Sequence, residues 1–512
     1  MKESIGLFLT RRARLNPARE AVVGIEQGHR LTFAELNQRT NRLANALLSR
    51  NLHKGDRVAV LLGNQTEYLE VYFALAKIGA VLVPLSWRLV PDELQFVIKD
   101  SGSRVLIYSS EFDATVEVLK QKTDISTWVR AGDKSSRPSL SQDYGCVIQE
   151  GSQSEPKIEV GEEDLFLIVY TSGTTGFPKG AMLSHGNMLW ACLTWNSTND
   201  MRAGDRHLIV LPLFHLGGLF PLSAAFHHGQ TVVVMSSADA DSILRVIESE
   251  RVNVGVIVTT ILRRMLLALE SEYHDISTLR WVVVGGEAVP SALVERAAKL
   301  GVEVLQDYGL TEACGVATIM GSEDAGVKPG SAGKSYFHTQ VRVVTESGQD
   351  APSGELGEVI VKGRHVMKGY WNRPDATSEA IRDGWLYTGD AATMDEDGYV
   401  YIRDRKKDMI ISGGENIYPA EIEQVLQHLP QVKEVAVIGQ PSVKWGESPI
   451  AIVVLKDGAA LSAEDVIGYC RGRVAKFKLP RGVEFVRELP RNPIGKVQKH
   501  ILRQQFPGPA PA

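Results

Sequence analysis

The stretch of sequence whose residue types are best suited to binding an anion follows a short apolar run. It combines glycines, hydroxyl side chains and one lysine. Its residues are Tyr170-Thr-Ser-Gly-Thr-Thr-Gly-Phe-Pro-Lys-Gly180. Glycine lets backbone N–H groups approach a phosphate closely, and the threonine and serine hydroxyls add donors. The GK[ST] ending of the nucleotide-binding P-loop is absent. We therefore expect a phosphate-binding loop of another kind, in preference to a plain glycine-threonine turn.

Further motifs follow this loop in a fixed order. They are Tyr308-Gly-Leu-Thr-Glu312, Tyr387-Thr-Gly-Asp390, Asp404-Arg-Lys-Lys-Asp408 with Ile411-Ser-Gly-Gly-Glu-Asn416, and Pro490-Arg-Asn-Pro-Ile-Gly-Lys496. In order and composition they resemble the motifs of the adenylate-forming (ANL) superfamily. That superfamily includes acyl-CoA synthetases, firefly luciferases and the adenylation domains of peptide synthetases. The resemblance favours an AMP-forming acyl-CoA synthetase like the fatty-acyl-CoA and aryl-CoA ligases.

The resemblance implies an ATP site at these motifs. ATP and a carboxylate are both anions, so their reaction needs cations and hydrogen-bond donors around the α-phosphate. Glu312 is similar to the family's Mg²⁺ ligand, and a hard cation prefers oxygen ligands. The residues expected to contact ATP or AMP are Thr171, Ser172, Gly173, Thr174, Thr175, Gly176, Lys179, Gly285, Gly286, Glu287, Asp307, Tyr308, Gly309, Thr311, Asp390, Arg405 and Lys496.

Four residues are expected to act in catalysis. Lys496 resembles the lysine that bridges the acyl carboxylate and the α-phosphate during adenylation. Glu312 and Thr311 are expected at the phosphates and the metal. His215 matches the aromatic position at the mouth of the acyl pocket, and a hydrogen-bonded core histidine remains its alternative.

The acyl pocket is expected around His215, Leu216, Gly217 and Gly218. The segment from Leu211 to Phe220 is apolar and contains no arginine or lysine that could pair with a second carboxylate. These features predict a hydrophobic monocarboxylic acid, with a fatty acid ahead of an aryl or alicyclic acid.

A second half-reaction with coenzyme A is implied by the C-terminal motifs. Lys407 matches the family's hinge, about which a small domain rotates between the two reactions. Gly413 and Gly414 resemble the loop that lines the pantetheine tunnel. The full set expected at coenzyme A is Gly413, Gly414, Glu415, Trp445, Phe477 and Arg481, although a neighbouring position that is basic in relatives is Leu479 here.

Composition narrows the partners to small molecules. The 512 residues carry a net charge of −5, which gives no electrostatic reason to expect nucleic acid or an anionic membrane. The stretch from Leu208 to Phe226 is interrupted by proline, histidine and glycine, so we interpret it as pocket lining and not as a membrane span. Four widely spaced cysteines are typical of a reducing cytoplasm. The segment around Lys496 also resembles the acetylation site of bacterial acyl-CoA synthetases, which makes a lysine acetyltransferase a candidate partner; the oligomeric state stays open.

The elements that must position these residues are predicted to be α/β and α+β. Residues 1–404 are expected to form a large domain of layered α/β structure plus a β-rich subdomain near 333–401. A hinge at 405–407 leads to a small mobile α+β domain at 408–505 and a disordered tail at 506–512. Thr32 and Glu35 predict a capping box at the start of a helix. Residues 131–163 are polar and predict an exposed connector.

Other functions were weighed against the ligase. A peptide-synthetase adenylation domain places aspartate after phenylalanine where this chain has Phe214-His215. A luciferase-like oxygenase or a stand-alone adenylation enzyme would keep the same ATP motifs. A catalytically inactive scaffold is disfavoured because Lys179, Glu312, Asp390 and Lys496 are all present.

Overall fold

Short runs of valine, isoleucine and leucine alternate with helices through the first 285 residues and form two large sheets. The computed structural model describes residues 2–132, 140–171, 178–286, 289–405, 409–490 and 497–508. Their strands are β1 (Glu20–Gly24), β2 (His29–Thr32), β3 (Arg57–Leu61), β4 (Val81–Pro84), β5 (Val105–Ser109), β6 (Thr127–Ala131), β7 (Ser141–Asp143), β8 (Leu165–Thr171), β9 (Lys179–Ser184), β10 (Arg206–Ile209), β11 (Thr231–Val234), β12 (Val254–Val258), β13 (Trp281–Gly285), β14 (Val304–Tyr308), β15 (Thr318–Met320), β16 (Lys334–Ser335), β17 (Gln340–Val344), β18 (Gly357–Lys362), β19 (Gly369–Tyr370), β20 (Ile381–Arg382), β21 (Trp385–Met394), β22 (Val400–Arg405), β23 (Ile410–Ser412), β24 (Glu415–Ile417), β25 (Val432–Ser442), β26 (Gly446–Leu455) and β27 (Gly482–Phe485).

The helices precede, connect or follow these strands, and most of them bury apolar residues. They are α1 (Gly6–Leu15), α2 (Phe33–Leu48), α3 (Thr66–Ile78), α4 (Pro91–Ser101), α5 (Asp113–Lys122), α6 (Tyr144–Glu150), α7 (His185–Thr198), α8 (Leu216–His228), α9 (Ala240–Glu250), α10 (Thr259–Ser271), α11 (Ser291–Lys299), α12 (Ser322–Ala325), α13 (Pro374–Ala380), α14 (Pro419–Gln427), α15 (Ala463–Cys470) and α16 (Lys499–Gln505). Within the residues described, every helix is too short or too polar to span a lipid bilayer.

The chain divides into two units. The larger contains Met1–Trp87, Val97–Tyr170 and Gly180–Arg403, and the smaller contains Asp404–Ala512 together with Arg88–Phe96 and Thr171–Lys179. The sequence assigned these last two segments to the large domain, because nothing in their composition separates them from their neighbours. The proposed hinge at 405–407 remains a prediction, and residues 406–408 lie outside the described part.

A nine-stranded sheet has the order β16-β15-β14-β13-β12-β10-β11-β1-β2. Its central strands from β14 to β1 are parallel, and antiparallel strands close both edges. The parallel arrangement confirms the predicted layered α/β structure, and it fits the continuous apolar runs of these strands, because such strands are buried on both faces. It also places the ends of β13 and β14 side by side.

An eight-stranded sheet has the order β19-β9-β8-β4-β3-β5-β6-β7 and includes the strand that leads into the predicted phosphate loop. Helix α2 begins with the predicted capping box: the Thr32 hydroxyl accepts from the Glu35 N–H, and the Glu35 carboxylate accepts from the Thr32 N–H. One continuous apolar core contains residues from this sheet, the nine-stranded sheet and the β-rich subdomain, among them Val60, Val283 and Val359.

The β-rich subdomain confirms the change in texture seen in the sequence after residue 333. Strands β17, β18, β21, β20 and β22 form an antiparallel five-stranded sheet. The smaller unit has another five-stranded sheet, β24-β23-β26-β25 with β27 beside β26, packed with α14 and α15. This arrangement confirms the predicted α+β class of the C-terminal part.

Two predictions about irregular segments were wrong. Residues 140–150 contain the edge strand β7 and the helix α6, whose Tyr144, Val147 and Ile148 are buried. The Tyr144 hydroxyl donates to Glu70 at 2.7 Å. The three buried residues of α6 are spaced three and four positions apart, as on one face of a helix. The polar residues around them concealed this pattern in the sequence.

The tail also begins later than predicted. Phe506 packs on the small unit's core, and its carbonyl oxygen accepts from the Gln440 amide at 2.9 Å. Burial of the Phe506 ring stabilises this segment of the chain, whereas the neighbouring proline and glycine offer little apolar surface to bury. Residues 509–512 lie outside the described part.

Candidate active site

The ends of β13 and β14 approach each other unusually closely. Gly285 is paired with Asp307, and a Cβ atom on Gly285 would lie 2.9 Å from the Asp307 carbonyl oxygen. Gly286 follows with φ of 87°, which favours glycine. Gly309 packs against the Gly315 carbonyl, where a Cβ atom would lie 2.0 Å away. Backbone contact therefore explains Gly285 and Gly309, and positive φ explains Gly286.

Two side chains predicted at the nucleotide are joined directly. The Tyr308 hydroxyl at the end of β14 donates to the Asp390 Oδ2 atom at 2.7 Å. Asp390 lies on β21 and is 8% exposed, so this bond is largely shielded from water. A carboxylate has about four acceptor positions, so Asp390 retains capacity for a diol after it accepts this bond.

Glu312 lies in a single 3₁₀ turn, Thr311–Ala313, that follows β14. The Tyr370 hydroxyl donates to Glu312 Oε1 at 2.8 Å, and the Glu312 carbonyl accepts from the Met367 N–H at 2.8 Å. Tyr370 lies on β19 in the eight-stranded sheet, so the two large sheets jointly fix this carboxylate.

The donor set around Glu312 fits Mg²⁺ bound together with a nucleotide. Among the described residues, no cluster of three or more His, Cys, Asp or Glu side chains could hold a metal ion alone. Mg²⁺ commonly takes one or two carboxylates, and its remaining ligands are water and substrate phosphate oxygens. One oriented carboxylate meets that requirement.

The predicted phosphate loop connects the end of β8 to the start of β9, and both ends are described. The Thr171 hydroxyl donates to the Lys179 carbonyl at 3.4 Å. The Tyr170 hydroxyl donates to Asp100 Oδ2 at 2.7 Å, and Arg373 donates to the other oxygen of Asp100 at 2.7 Å. Burial raises the pKa of Tyr170, which keeps its hydroxyl protonated as a donor.

The loop from Leu211 to His215 connects β10 to α8, and a buried asparagine holds it. Asn64 donates to the Leu211 carbonyl at 2.9 Å and accepts from the Leu213 N–H at 2.9 Å. Its amide also donates to the Met235 carbonyl at 3.2 Å. His215 is the N-cap residue of α8, and its ring lies 4.5 Å from that of Phe214.

The two glycines at the start of α8 have different surroundings. A Cβ atom on Gly218 would lie 2.6 Å from the Pro212 carbonyl oxygen, so Gly218 permits the helix to pack on the preceding loop. Gly217 is exposed, and the nearest atom to its Cβ position belongs to Leu211 at 3.4 Å. Leu216 between His215 and Gly217 is buried in the core. Space for an acyl tail is therefore to be sought beside Gly217, because Gly218 meets the protein's own backbone.

Comparison with known proteins identifies the family. The AMP-binding enzyme family matches residues 9–371, and the AMP-binding enzyme C-terminal domain matches residues 421–496. The chain is a member of the adenylate-forming acyl-CoA synthetases. It is 40% identical over 513 residues to the long-chain-fatty-acid–CoA ligase FadD13 of Mycobacterium tuberculosis, covering 99% of this chain and 100% of that one. It is also 40% identical to a feruloyl-CoA synthase of an Amycolatopsis species, covering 98% and 99%.

Solved structures agree with this assignment. The o-succinylbenzoate CoA synthetase MenE of Bacillus subtilis, with a product analogue bound, gives a TM-score of 0.88 at 33% identity and covers 98% of this chain and 99% of its own. A Mycobacterium tuberculosis fatty acyl CoA synthetase gives a TM-score of 0.74 at 39% identity, with 98% of both chains covered. ATP, Mg²⁺ and coenzyme A are accordingly the cosubstrates of this synthetase.

In the synthetase's smaller unit, the two glycines predicted at the pantetheine tunnel form the turn of a hairpin. Strands β23 and β24 pair with Ser412 opposite Glu415, which leaves Gly413 and Gly414 as a two-residue loop. Their φ angles are 61° and 84°. Positive φ at both central residues is the requirement of a type I′ turn, which explains the glycine pair.

Trp445 lies against this turn. The Gly413 N–H donates to the Trp445 carbonyl at 2.7 Å, and a Cβ atom on Gly413 would lie 2.9 Å from the indole ring. The structure thus brings four of the six predicted coenzyme A residues together, since Glu415 pairs with Ser412 at the same turn. It does not show the same for the other two: Phe477 packs on the small unit's core, and Arg481 is exposed.

Several predicted residues fall outside the described part. They are Ser172, Gly173, Thr174, Thr175, Gly176, Glu287, Lys407 and Lys496. Arg405 ends β22, and its side chain is also outside the description. Their roles remain predictions from the motifs.

Three side chains that support the site were missed by the sequence analysis. Asn64, Asp100 and Tyr370 hold the loop before α8, the end of β8 and the Glu312 carboxylate, respectively. Each lies 58 or more positions from its partner, since the sequence separations are 147, 70 and 58. The sole local signal was Asn64, a polar residue in a glycine-containing turn directly after a buried strand.

Proposed function

We propose that this synthetase joins a hydrophobic monocarboxylic acid to coenzyme A in two steps. The acid first attacks the α-phosphate of ATP and gives acyl-AMP and pyrophosphate. The thiol of coenzyme A then attacks the acyl carbonyl and releases AMP. The observation that carries the proposal is the convergence of Tyr308, Asp390 and Glu312 at the end of β14.

The nucleotide would be held by groups that already fix one another. Asp390 would accept from the ribose hydroxyls while Tyr308 donates to it, and the Tyr308 ring offers a face for the adenine. Gly285 leaves the strand ends free of side chains at the purine. Because Asp390 is buried and oriented before ATP arrives, little entropy is lost in ordering it.

Charge at the reacting phosphate is the main barrier to adenylation. Glu312, held by Tyr370, would bind Mg²⁺ against the phosphate oxygens, and the metal supplies positive charge there. Lys496 would place its ammonium between the acyl carboxylate and the α-phosphate. Both effects act more strongly in the transition state than in the ground state, which is the condition for catalysis.

The second step requires a side-chain-free approach to the acyl carbon. The turn at Gly413 and Gly414 presents backbone only, with Trp445 against one side of it. A thiol on a narrow pantetheine arm could pass along such a turn. Rotation at Lys407 would exchange Lys496 for this turn at the adenylate.

The acid is expected to be apolar over most of its length. Relatives at equal identity include enzymes named for a long-chain fatty acid and for ferulate, so both classes deserve testing. A fatty acid is our first choice and an aryl or alicyclic acid the second. A panel of acids scored by coenzyme A-dependent AMP release would decide between them.

The two half-reactions can be separated by substitution. Lys496→Ala should slow pyrophosphate exchange about a hundredfold or more, because it removes a transition-state contact. The same variant should still form thioester from synthetic acyl-adenylate. Gly414→Leu should do the reverse, because a side chain on the turn obstructs the thiol. Lys433→Ala, which removes an exposed lysine of the same unit, is the matched control and should keep both steps. Equal damage to both steps by Lys496→Ala would contradict the two-pose mechanism.

A further inference from the structure

Asp307 precedes Tyr308 on β14 but faces the other way. Successive side chains of a strand point to opposite faces of the sheet. Tyr308 bonds to Asp390 on the nucleotide side, whereas Asp307 Oδ1 accepts from the Tyr336 hydroxyl at 2.8 Å. The sequence grouped Asp307 with the ATP contacts. The structure instead directs its carboxyl to the face of β14 opposite the Tyr308 ring, where Tyr336 bonds to it.

The far side of Asp307 leads to the helix that carries the predicted acyl pocket. The Tyr336 ring is stacked on Trp195 with centroids 6.1 Å apart, and Trp195 meets Phe220 edge-on at 5.2 Å. Phe220 belongs to α8, whose N-cap is His215. We call Tyr336, Trp195 and Phe220 the aromatic layer. Asp307 thus lies at the edge of the aromatic layer, on the side of β14 that faces α8.

This carboxyl has no cationic partner among the described residues. Tyr336 is the one side chain there that bonds to it, and no described group donates to Oδ2. Burial raises the pKa of Asp307 to about 7. The neighbouring residue on β13 is Gly285, and a Cβ atom there would lie 3.2 Å from Asp307 Oδ2. Because glycine has no side chain, nothing on Gly285 covers that oxygen. Asp307 is half-buried and Oδ2 can be reached by water, so a ligand that displaces this water must supply a donor in its place or leave the oxygen unpaired.

We propose that Asp307 selects the acid substrate, by accepting a hydrogen bond at Oδ2 from a hydroxyl or amino group carried on the acid's apolar skeleton. This inference rests on the proposed ligase function and narrows its substrate class. An unsubstituted acid would bury Oδ2 with no donor, and a site that expects a donor rejects a ligand lacking one. The acid is therefore a hydroxy or amino acid of otherwise hydrophobic character.

The test compares matched acids on two skeletons. Octanoic, 8-hydroxyoctanoic and 8-aminooctanoic acids form one series, and cinnamic, 4-hydroxycinnamic and 4-aminocinnamic acids form the other. Wild-type enzyme should use a donor-bearing member of at least one series about tenfold or more better in kcat/KM than the parent acid. Asp307→Leu should reverse this preference and raise kcat/KM for the parent acid, while the KM for ATP stays within about twofold.

Further variants separate recognition from folding. Asp307→Leu combined with Tyr336→Phe leaves no unpaired hydroxyl and should show the same reversed preference. Asp307→Asn keeps an acceptor without charge, so it should retain the hydroxy acid and lose the amino acid. Glu303→Leu, which removes an exposed acid near the start of β14, is the matched control and should leave the preference unchanged.

The outcomes distinguish the two proposals. If Asp307→Leu lowers kcat/KM equally for parent and substituted acids, or raises the KM for ATP about tenfold, Asp307 is a structural or nucleotide residue and the assignment is overturned. If wild type prefers the parent acid in both series, the assignment is overturned as well. If wild-type enzyme releases no AMP in response to coenzyme A with any acid, the ligase proposal itself fails.

Discussion

Strand β14 separates two surroundings that are built on different principles. On the nucleotide face, polar side chains hold one another: Tyr308 bonds to Asp390, and Tyr370 bonds to Glu312. On the side proposed for the acid, the rings of Tyr336 and Trp195 stack and the Asp307 carboxyl accepts from Tyr336, while the Asn64 amide holds the backbone of the loop before α8. ATP is the same for every family member, whereas the acid differs. A network of polar groups that fix one another suits binding of ATP, which never changes. A packed wall whose shape a small number of substitutions can change suits binding of an acid that differs between family members.

The largest effect on catalysis is expected from a substitution at Asp390, on the side proposed for the nucleotide. Asp390→Ala should raise the KM for ATP about a hundredfold, because it removes a buried acceptor proposed to bind the ribose hydroxyls and to which the Tyr308 hydroxyl donates. The ranking of acids by kcat/KM should not change. Initial rates with varied ATP and with varied acid check both statements. A changed ranking would mean that the two faces are coupled through β14.

A buried histidine, His365, lies beside the 3₁₀ turn that carries Glu312. His365 lies between the Ala313 carbonyl, 3.0 Å from Nδ1, and the Thr339 hydroxyl, 2.9 Å from Nε2. A carbonyl only accepts, so Nδ1 carries the proton and Nε2 accepts from Thr339. Burial lowers the pKa of His365 from 6.5 to about 4.

The stability of the folded protein should fall at acidic pH, because the pKa of His365 is lower in the folded chain than in the unfolded chain. The unfolded chain binds the proton below pH 6.5 and the folded chain does not, so stability is complete above pH 6.5 and is lost as pH falls toward 4. At pH 5 the loss from this residue is about 2 kcal/mol. Urea titrations at pH 7.5 and 5 should show a smaller loss for His365→Gln, whose amide can replace both bonds. An equal loss in both proteins would contradict the assignment.

On the acyl face, Asn64→Ala should act on the acid alone. It removes donors to the Leu211 and Met235 carbonyls and leaves the Leu213 N–H without its acceptor. We expect the KM for the acid to rise about tenfold while the KM for ATP stays constant. Asn64→Asp keeps the acceptor for the Leu213 N–H, so its KM for the acid should lie between those of the wild type and of Asn64→Ala. Equal changes in both KM values would show that Asn64 supports the whole unit.

The smallest effect is expected for an oriented carboxylate that keeps its charge. Tyr370→Phe removes the bond to Glu312 and should lower kcat for pyrophosphate exchange about fivefold, with a higher Mg²⁺ requirement. Tyr401→Phe, whose hydroxyl bonds to Asp395 at 3.3 Å, is the control and should leave exchange unchanged. If the Mg²⁺ requirement does not move, Tyr370 serves packing and not the metal site.

Local patterns predicted most of the fold. The capping box at Thr32 and the short apolar runs of the buried strands each depend on neighbours within a few residues, so the sequence displays them directly. The helix α6 was missed because its three buried residues lie within a polar stretch. In the site, motif residues such as Tyr308 and Asp390 could be named. That Asp307 accepts a hydrogen bond from Tyr336 depends on a contact between separate elements, which no local pattern records.

The apolar core that joins the two large sheets and the β-rich subdomain couples the stability of these elements to ligand binding. A molecule that binds at one strand end stabilises every element built on that core, by about 2.7 kcal/mol when present at a hundred times its dissociation constant. The melting temperature of the protein should therefore rise with any acid that fits, before any turnover is measured. Screening acids by thermal shift in the presence of ATP would locate the substrate's chemical class without a coupled assay.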